Sequence, residues 1–266
     1  MDYSFGYVAF LDILGFSNLV LEESNLETVD NLIHFVNKFQ YLFNTSPQLN
    51  LKVSFFSDSI VLTTDMKKSE NLGMIMVAIH IAELFLYQNT GLYFRGGITK
   101  GKYYYSNSTV FGPAIIRAYQ LESKAKYCRV MIDPEIIEEE KNNQQLDQAI
   151  EIIKDFDGNY YYSYIALHMM NKTVAGESPK INEVYQSLLI YKDEIISSVK
   201  NNMCTDVADK YIWRCVDFNR KLKNIEEILI SRKITFQTND VIRLKELKID
   251  IDSILENGEG AQNDQL

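Results

Sequence analysis

The stretch "AFLDILGFSN", residues 9–18, places a carboxylate at the end of an apolar run and follows it at once with Gly-Phe-Ser. Val8, Ala9, Phe10 and Leu11 read as a buried strand that ends on Asp12. A charge there is costly to bury unless it is paired or bound to a cation. A second stretch, "SFFSDSIVL" at 54–62, raises the same question with Asp58. Two short apolar runs, "LNLKVSFF" and "SIVLTT", flank Ser57-Asp58, which reads as a hairpin whose tight turn carries the acid.

Working outward, "YSFGYVAFLD" is a strand ending near Asp12, and Leu26, Val29, Leu32, Ile33, Val36 and Phe39 recur at helical spacing over 26–44. A second helix is expected over roughly 69–89, then the strand "LYFRGGIT" and, after Lys100-Gly101, a further strand "GKYYY". Residues 113–125 open with Pro in the first turn and read as a helix, and "RVMID" as another strand. The simplest packing for this order is an α+β sandwich with ferredoxin-like connections and helices on one face of the sheet. In that arrangement the end of the first strand adjoins the tip of the hairpin, so Asp12 and Asp58 converge.

Beyond about residue 133 the character changes. "PEIIEEEKNNQQLDQAIEIIK" reads as a polar helix, and Asp157-Gly158 as a turn before a strand, since the Asp-x-Asp-Gly opening lacks the later Glu of a calcium loop. Two amphipathic helices are expected within 181–224. The expected organisation is an α+β domain over 1–170, a helical extension over 171–257 and a disordered tail over 258–266.

Composition bounds the function. The chain has 266 residues, 46% hydrophobic and 24% charged, with a net charge of −9. That charge argues against a general nucleic-acid binder, which needs a basic field, but not against a small phosphorylated ligand. Cys128, Cys204 and Cys215 form no CxxC pair and read as buried thiols. No secretory signal opens the chain, so a cytoplasmic location is expected. The run "LGMIMVAIHIAELFLY" holds His80 and Glu83, and reads as a core helix too short to span a bilayer.

Paired carboxylates on adjoining strand ends suit two-metal chemistry on a nucleoside triphosphate, because Mg²⁺ takes hard oxygen ligands and shares substrate phosphates. The backbone N–H groups from Gly15 through Phe16 and Ser17 to Asn18, near a helix start, would add an anion cradle. The competing account has Asp12 capping the following turn and Asp58 as an ordinary turn residue.

With these residues in place a resemblance can be stated. "FLDILGFS" resembles the first metal motif of class III nucleotidyl cyclases, "FSDSIVL" the hairpin with their second metal Asp, and "FRGGITKG" their Arg-x-Gly-Ile strand. "TVFGPAIIRAYQLE" is similar to the strand-to-helix segment that completes the site from the partner subunit. The likeness covers about residues 5–135. "RGGITKG", "FGPAIIRAYQLE", "AKYCRVMID" and "DFDG" together look most like the bacterial pyrimidine cyclases of Pycsar antiphage systems.

The resemblance implies roles. Asp12 and Asp58, with the Ile13 carbonyl, would hold two Mg²⁺ or Mn²⁺ ions, and Arg95 would bind the terminal phosphates. Ser54, Phe56, Thr109, Val110 and Phe111 of the other subunit of a head-to-tail homodimer would line the base pocket. Adenylyl cyclases carry Lys and Asp where this chain has Ser54 and Thr109, and guanylyl cyclases carry Glu and Cys. The Asn and transition-state Arg of the purine enzymes are replaced by Ile116 and Gln120. Arg117, about 60° around the helix from Gln120, and Arg129 are the candidate substitutes. The expected activity is conversion of UTP or CTP to the cyclic monophosphate, as a second messenger for a separate effector, with no membrane or nucleic-acid partner. A catalytically weak or inactive nucleotide sensor is the alternative. A diguanylate synthase ranks last, for want of its Gly-Gly-Asp/Glu-Glu-Phe signature.

Overall fold

The computed structural model describes residues 2–21, 26–66, 72–106, 109–143, 151–163, 179–203 and 208–255. The chain divides into two compact units, Met1–Tyr162 and Ser163–Leu266. The expected domain boundary after residue 170, the tail over 258–266 and Cys204 all lie outside the described residues.

The first unit runs β1 (Ser4–Ile13), α1 (Phe16–Leu21), α2 (Leu26–Thr45), β2 (Leu51–Phe56), β3 (Ser59–Thr64), α3 (Leu72–Thr90), β4 (Phe94–Ser106), β5 (Thr109–Phe111), α4 (Pro113–Lys124), β6 (Val130–Ile132), α5 (Pro134–Asn143), β7 (Glu151–Lys154) and β8 (Tyr160–Ser163). The sheet order is β2-β3-β1-β4-β6-β8-β7, with β5 paired to β4. β1 is antiparallel to both β3 and β4, which is the ferredoxin-like order the sequence predicts for the first four strands. β6 extends the sheet by pairing parallel to β4, and β8 pairs antiparallel to β6.

Register decides which side chains share a face. Ser54, Val61, Phe10 and Gly97 lie in one row across the sheet, and Phe56, Ser59, Asp12 and Arg95 in the next on the same face. α4 lies on that face, where Val8, Val61, Tyr103, Ala114 and Ala118 form a buried cluster. The alternate residues of β1, Tyr7, Ala9, Leu11 and Ile13, are buried on the opposite face, toward α2 and α3. The sequence reading put helices on one face only. The structure covers both, because α4 can settle directly on the strand glycines.

Gly97 shows why. A Cβ there would press on Leu121 Cβ and lie 2.5 Å from the Ala118 carbonyl oxygen, so α4 sits on β4 at backbone distance. Gly101 faces Ala114 one turn earlier on α4. The glycines serve close approach and do not turn the chain, so β4 runs unbroken for 13 residues instead of stopping at Lys100-Gly101.

Two further expectations are corrected. The polar helix after residue 133 ends at Asn143, and Glu151–Lys154 is strand β7; residues 144–150 lie outside the described residues. The apolar run after residue 72 forms a 19-residue helix, α3, so its length does not exclude a membrane span; of the described helices only α3 is long and apolar enough to cross one. Ile75, Met76, Ile79, Ala82 and Leu86 of α3 are nonetheless buried in the first unit, whose Phe85 ring stacks on Phe35 of α2.

The second unit holds α6 (Ile181–Asn202), α7 (Ala208–Lys223), α8 (Ile225–Ser231) and α9 (Thr238–Lys245). α6 buries Val184, Leu188, Tyr191, Ile195 and Val199, the i, i+4, i+7 stripe of an amphipathic helix, and α7 packs against α6. Tyr191 meets Phe218 of α7 edge to face at 5.8 Å.

Candidate functional site

β1 and the β2–β3 hairpin bring the two acids together by ordinary ladder pairing. Asp12 stands opposite Ser59, the residue after Asp58, and the Ile13 N–H donates to the Asp58 carbonyl at 2.9 Å. Ser57 takes a left-handed φ of 54°, which turns the chain sharply and leaves Asp58 at the tip, partly exposed. Gly15, with φ of 82°, makes the turn out of β1, and Phe16 and Ser17 open α1. α1 has only 6 residues, too short for a sizeable helix dipole. The Leu14 N–H is already given to the Tyr93 carbonyl.

Arg95 faces Asp12 across the β1–β4 ladder, with Nε 2.9 Å from Asp12 Oδ2. The same nitrogen lies 2.6 Å from Oε1 of Glu122, which descends from the last turn of α4. The Glu122 side chain is only 4% exposed. Burial pushes its carboxyl above the usual range; Arg95 pulls it down, and the charges of Asp12 and Asp58 push it further up. This third acid was not singled out from sequence. The available signal was its spacing: Ala114, Ala118 and Glu122 are the buried stripe of α4, and the third position carries a charge.

The base-side candidates fall differently. Ser54 is 7% exposed, and its hydroxyl has no hydrogen-bond partner among the described residues. Val110 packs on the cluster that contains Val61, the cross-strand partner of Ser54. Thr109 and Phe111 flank Val110 on β5, where Phe111 stacks obliquely on Tyr104 and meets Tyr3 edge to face. Lys52, Thr63, Asp65, Tyr103 and Tyr105 line a cavity of about 320 Å³ beyond Ser54. Phe56 stands apart from this group. It is 82% exposed beside the hairpin tip, in the row of Asp12. The face therefore has an acidic end, and a cavity toward its other end.

Neither candidate arginine is turned toward the acids. Arg117 is bound by Asp133, Nε to Oδ2 at 2.5 Å, and by Glu135, Nη1 to Oε2 at 2.7 Å, while Thr99 donates to the same Asp133. Arg129 is fully buried, donates Nε to the Ala125 carbonyl, and pairs with Asp155 and Asp157. With all three guanidinium nitrogens engaged, Arg129 pins β6 to the turn before β8. The Asp-x-Asp-Gly turn thus holds an arginine where a calcium loop would hold a cation.

Among the described residues no group of three or more His, Cys, Asp or Glu side chains is arranged to hold a metal ion. Cys128 and Cys215 are buried, and burial pushes the Cys215 thiol up to about 12, which excludes a reactive thiolate there at neutral pH. His80 is buried in α3 and pushed down to about 4.

No protein-family model matches the sequence, and no curated protein matches it. Among solved structures, the chain is similar to the non-canonical dimeric guanylyl cyclase domain of the RhoGC fusion protein from the aquatic fungus Blastocladiella emersonii. The identity is 13%, over 60% of this chain and 93% of that one, with a TM-score of 0.41. It is also similar to the adenylate/guanylate cyclase/hydrolase from Silicibacter pomeroyi, at 14% identity over 61% of this chain and 96% of that one, with a TM-score of 0.40.

Proposed function

We propose that this chain is a nucleotidyl cyclase acting on pyrimidine nucleotides, with UTP preferred over CTP and both purines poor. The observation that carries the reading is the convergence of Asp12 and Asp58 beside Arg95 at one end of a sheet face. Two carboxylates without a thiolate or imidazole are a hard donor set. They fit Mg²⁺ or Mn²⁺, which keep water and substrate phosphates as their other ligands and need no all-protein cage. The Ile13 carbonyl is the further ligand implied by the resemblance. Such a pair of ions would acidify the attacking hydroxyl and neutralise charge on the departing phosphates.

The residues of the chain supply the rest. The ribose 3′-hydroxyl loses its proton to solvent, its oxygen bonds to the α-phosphorus, the bond from that phosphorus to the bridging oxygen breaks, and pyrophosphate leaves with the electron pair. Arg95 binds the terminal phosphates and holds them in line. The turn from Gly15 to Ser17 lies along the same edge. Ser54, Thr109, Val110 and Phe111 read the base from the other subunit. A buried hydroxyl at Ser54 with no partner among the described residues suits that task, because Ser can donate or accept toward a pyrimidine edge. Opposite ends of one face bearing the two half-sites suit a head-to-tail homodimer. The product would act on a separate effector in antiphage defence, as the Pycsar resemblance implies.

One observation favours a second reading, a nucleotide sensor of little activity. Arg117 and Arg129 are both engaged by acids of their own chain, and Gln120 stands where the purine enzymes have their arginine. Incubation with each of the four NTPs and Mn²⁺, following pyrophosphate release and product mass, separates the two. Cyclic UMP as the main product is expected. Binding without pyrophosphate release establishes the sensor, and ATP or GTP as best substrate removes the pyrimidine assignment. Mixing subunits inactivated by Asp58→Asn with subunits inactivated by Arg117→Ala tests the shared site. Random exchange should restore about a quarter of wild-type sites.

A further inference from the structure

Arg95 is ion-paired with two carboxylates but directs its Nε hydrogen at only one of them. Its single Nε hydrogen is directed at Asp12, while Glu122 Oε1 lies 2.6 Å from the same nitrogen. That oxygen is buried and, among the described residues, accepts no hydrogen bond. A buried acceptor in contact with a cation, yet without a proton directed at it, is an unfavourable arrangement that a small rotation of the guanidinium would relieve. Glu122 cannot easily withdraw, because α4 is pressed onto β4 at Gly97, two residues from Arg95. Its other oxygen accepts only a 3.3 Å bond from Ser123.

We propose that Glu122 is a positioning residue that takes over Arg95 when Asp12 turns to a divalent cation. The inference rests on the metal role proposed above for Asp12. In the metal-free site Arg95 neutralises Asp12. A cation on Asp12 repels the guanidinium, and without a second anion the arginine would swing into water. Glu122 offers that anion at contact distance, so Arg95 turns its Nε hydrogen by a short arc and stays at the rim of the site. The guanidinium's outer edge then remains available to a polyphosphate. Arg95 and the metal compete for Asp12, and Glu122 weakens the arginine's side of that competition.

A double-mutant cycle on metal binding tests this. Mn²⁺ affinity of the nucleotide-free full chain is measured from the paramagnetic resonance signal of free Mn²⁺, for wild type, Arg95→Gln, Glu122→Gln and the double variant. Arg95→Gln should bind Mn²⁺ more tightly than wild type, because the competitor is gone. Glu122→Gln should bind it more weakly, because Arg95 then leans on Asp12 alone. In the double variant the loss due to Glu122→Gln should shrink by about threefold or more. An equal loss in both backgrounds, or none in either, overturns the proposal, since Glu122 would then contribute only its charge or nothing. If Glu122→Gln does not melt cooperatively, Glu122→Asp supplies the same cycle, withdrawing the charge by one methylene; coupling to Arg95 supports the proposal and additivity overturns it. Should Asp12→Asn bind Mn²⁺ as well as wild type, the metal role of Asp12 falls and this inference with it. Coupling found in a protein that turns over no NTP leaves the inference standing and removes the cyclase.

Discussion

The Ile13 N–H and the Asp58 carbonyl, 2.9 Å apart, join the end of the first strand to the tip of the hairpin. That one backbone bond holds two acids together from segments far apart in the chain. It uses no side chain, so the carboxylates can be changed without loosening the joint.

Asp58→Asn should therefore leave the fold intact and remove the activity. Loss of one of two charges on a divalent pair costs several kcal/mol in the transition state, about a hundredfold or more in rate. Pyrophosphate release at matched thermal stability is the measurement. Turnover close to wild type would show that Asp58 holds no metal.

Arg129→Ala should act on stability. Removing one member of a buried ion pair leaves the other charge without compensation, at a cost of about 3–5 kcal/mol. The urea midpoint should fall accordingly. A variant as stable as wild type but catalytically dead would return Arg129 to the reaction.

Acid should weaken the same pin. Burial raises the Asp157 carboxyl, but hydrogen bonds from the Arg129 side chain and from Asn159 outweigh it and carry the value from 3.8 down to about 2. A depressed carboxylate stabilises the fold above its unfolded value, near pH 4, and the contribution is lost as pH falls toward 2. Denaturant titrations across that window should show stability falling with acid, and Asp157→Asn should flatten the slope. The side chain is 28% exposed, so solvent screening keeps the effect modest.

Gly97→Ala should destabilise by about 1–3 kcal/mol, the cost of forcing a methyl into a filled contact. Because the methyl would lift α4, Glu122 should lose its hold near Arg95, and Mn²⁺ affinity should change along with the urea midpoint. A shift in stability alone would show that α4 accommodates the methyl by sliding.

The first strand, the hairpin and their acids were legible because alternation and a polar turn each have one simple reading. Phe10 and Asp12 share a face by strand geometry alone, and Asp58 can sit only at the tip. What was not legible depends on neighbours distant in sequence. Gly101 reads as a break in isolation, and only the Ala114 methyl opposite explains it as a packing surface. Ile152 and Ile153 lie in a strand of 4 residues, too short for a period of 2 to be told from one of 3.6. Glu122 gave no sign of its place because its burial comes from the depth at which α4 lies on β4. Arg117 offered no clue that Asp133 and Glu135, beyond the next strand, would hold it.

β4 has a consequence for any assembly of two such chains. Within its 13 residues the strand runs without a bulge from Arg95, beside the acids, to Tyr105, beside the cavity. At about 3.3 Å per residue the strand acts as a ruler some 30 Å in contour between the two ends of the face. In a head-to-tail pair that ruler is laid down twice in opposite directions, so the gap between two reaction centres is set by strand length and not by loops. Inserting two residues in mid-strand would keep every side chain on its own face while moving one half-site past the other by about 7 Å. Such a chain would fold, bind its partner and be out of step with it.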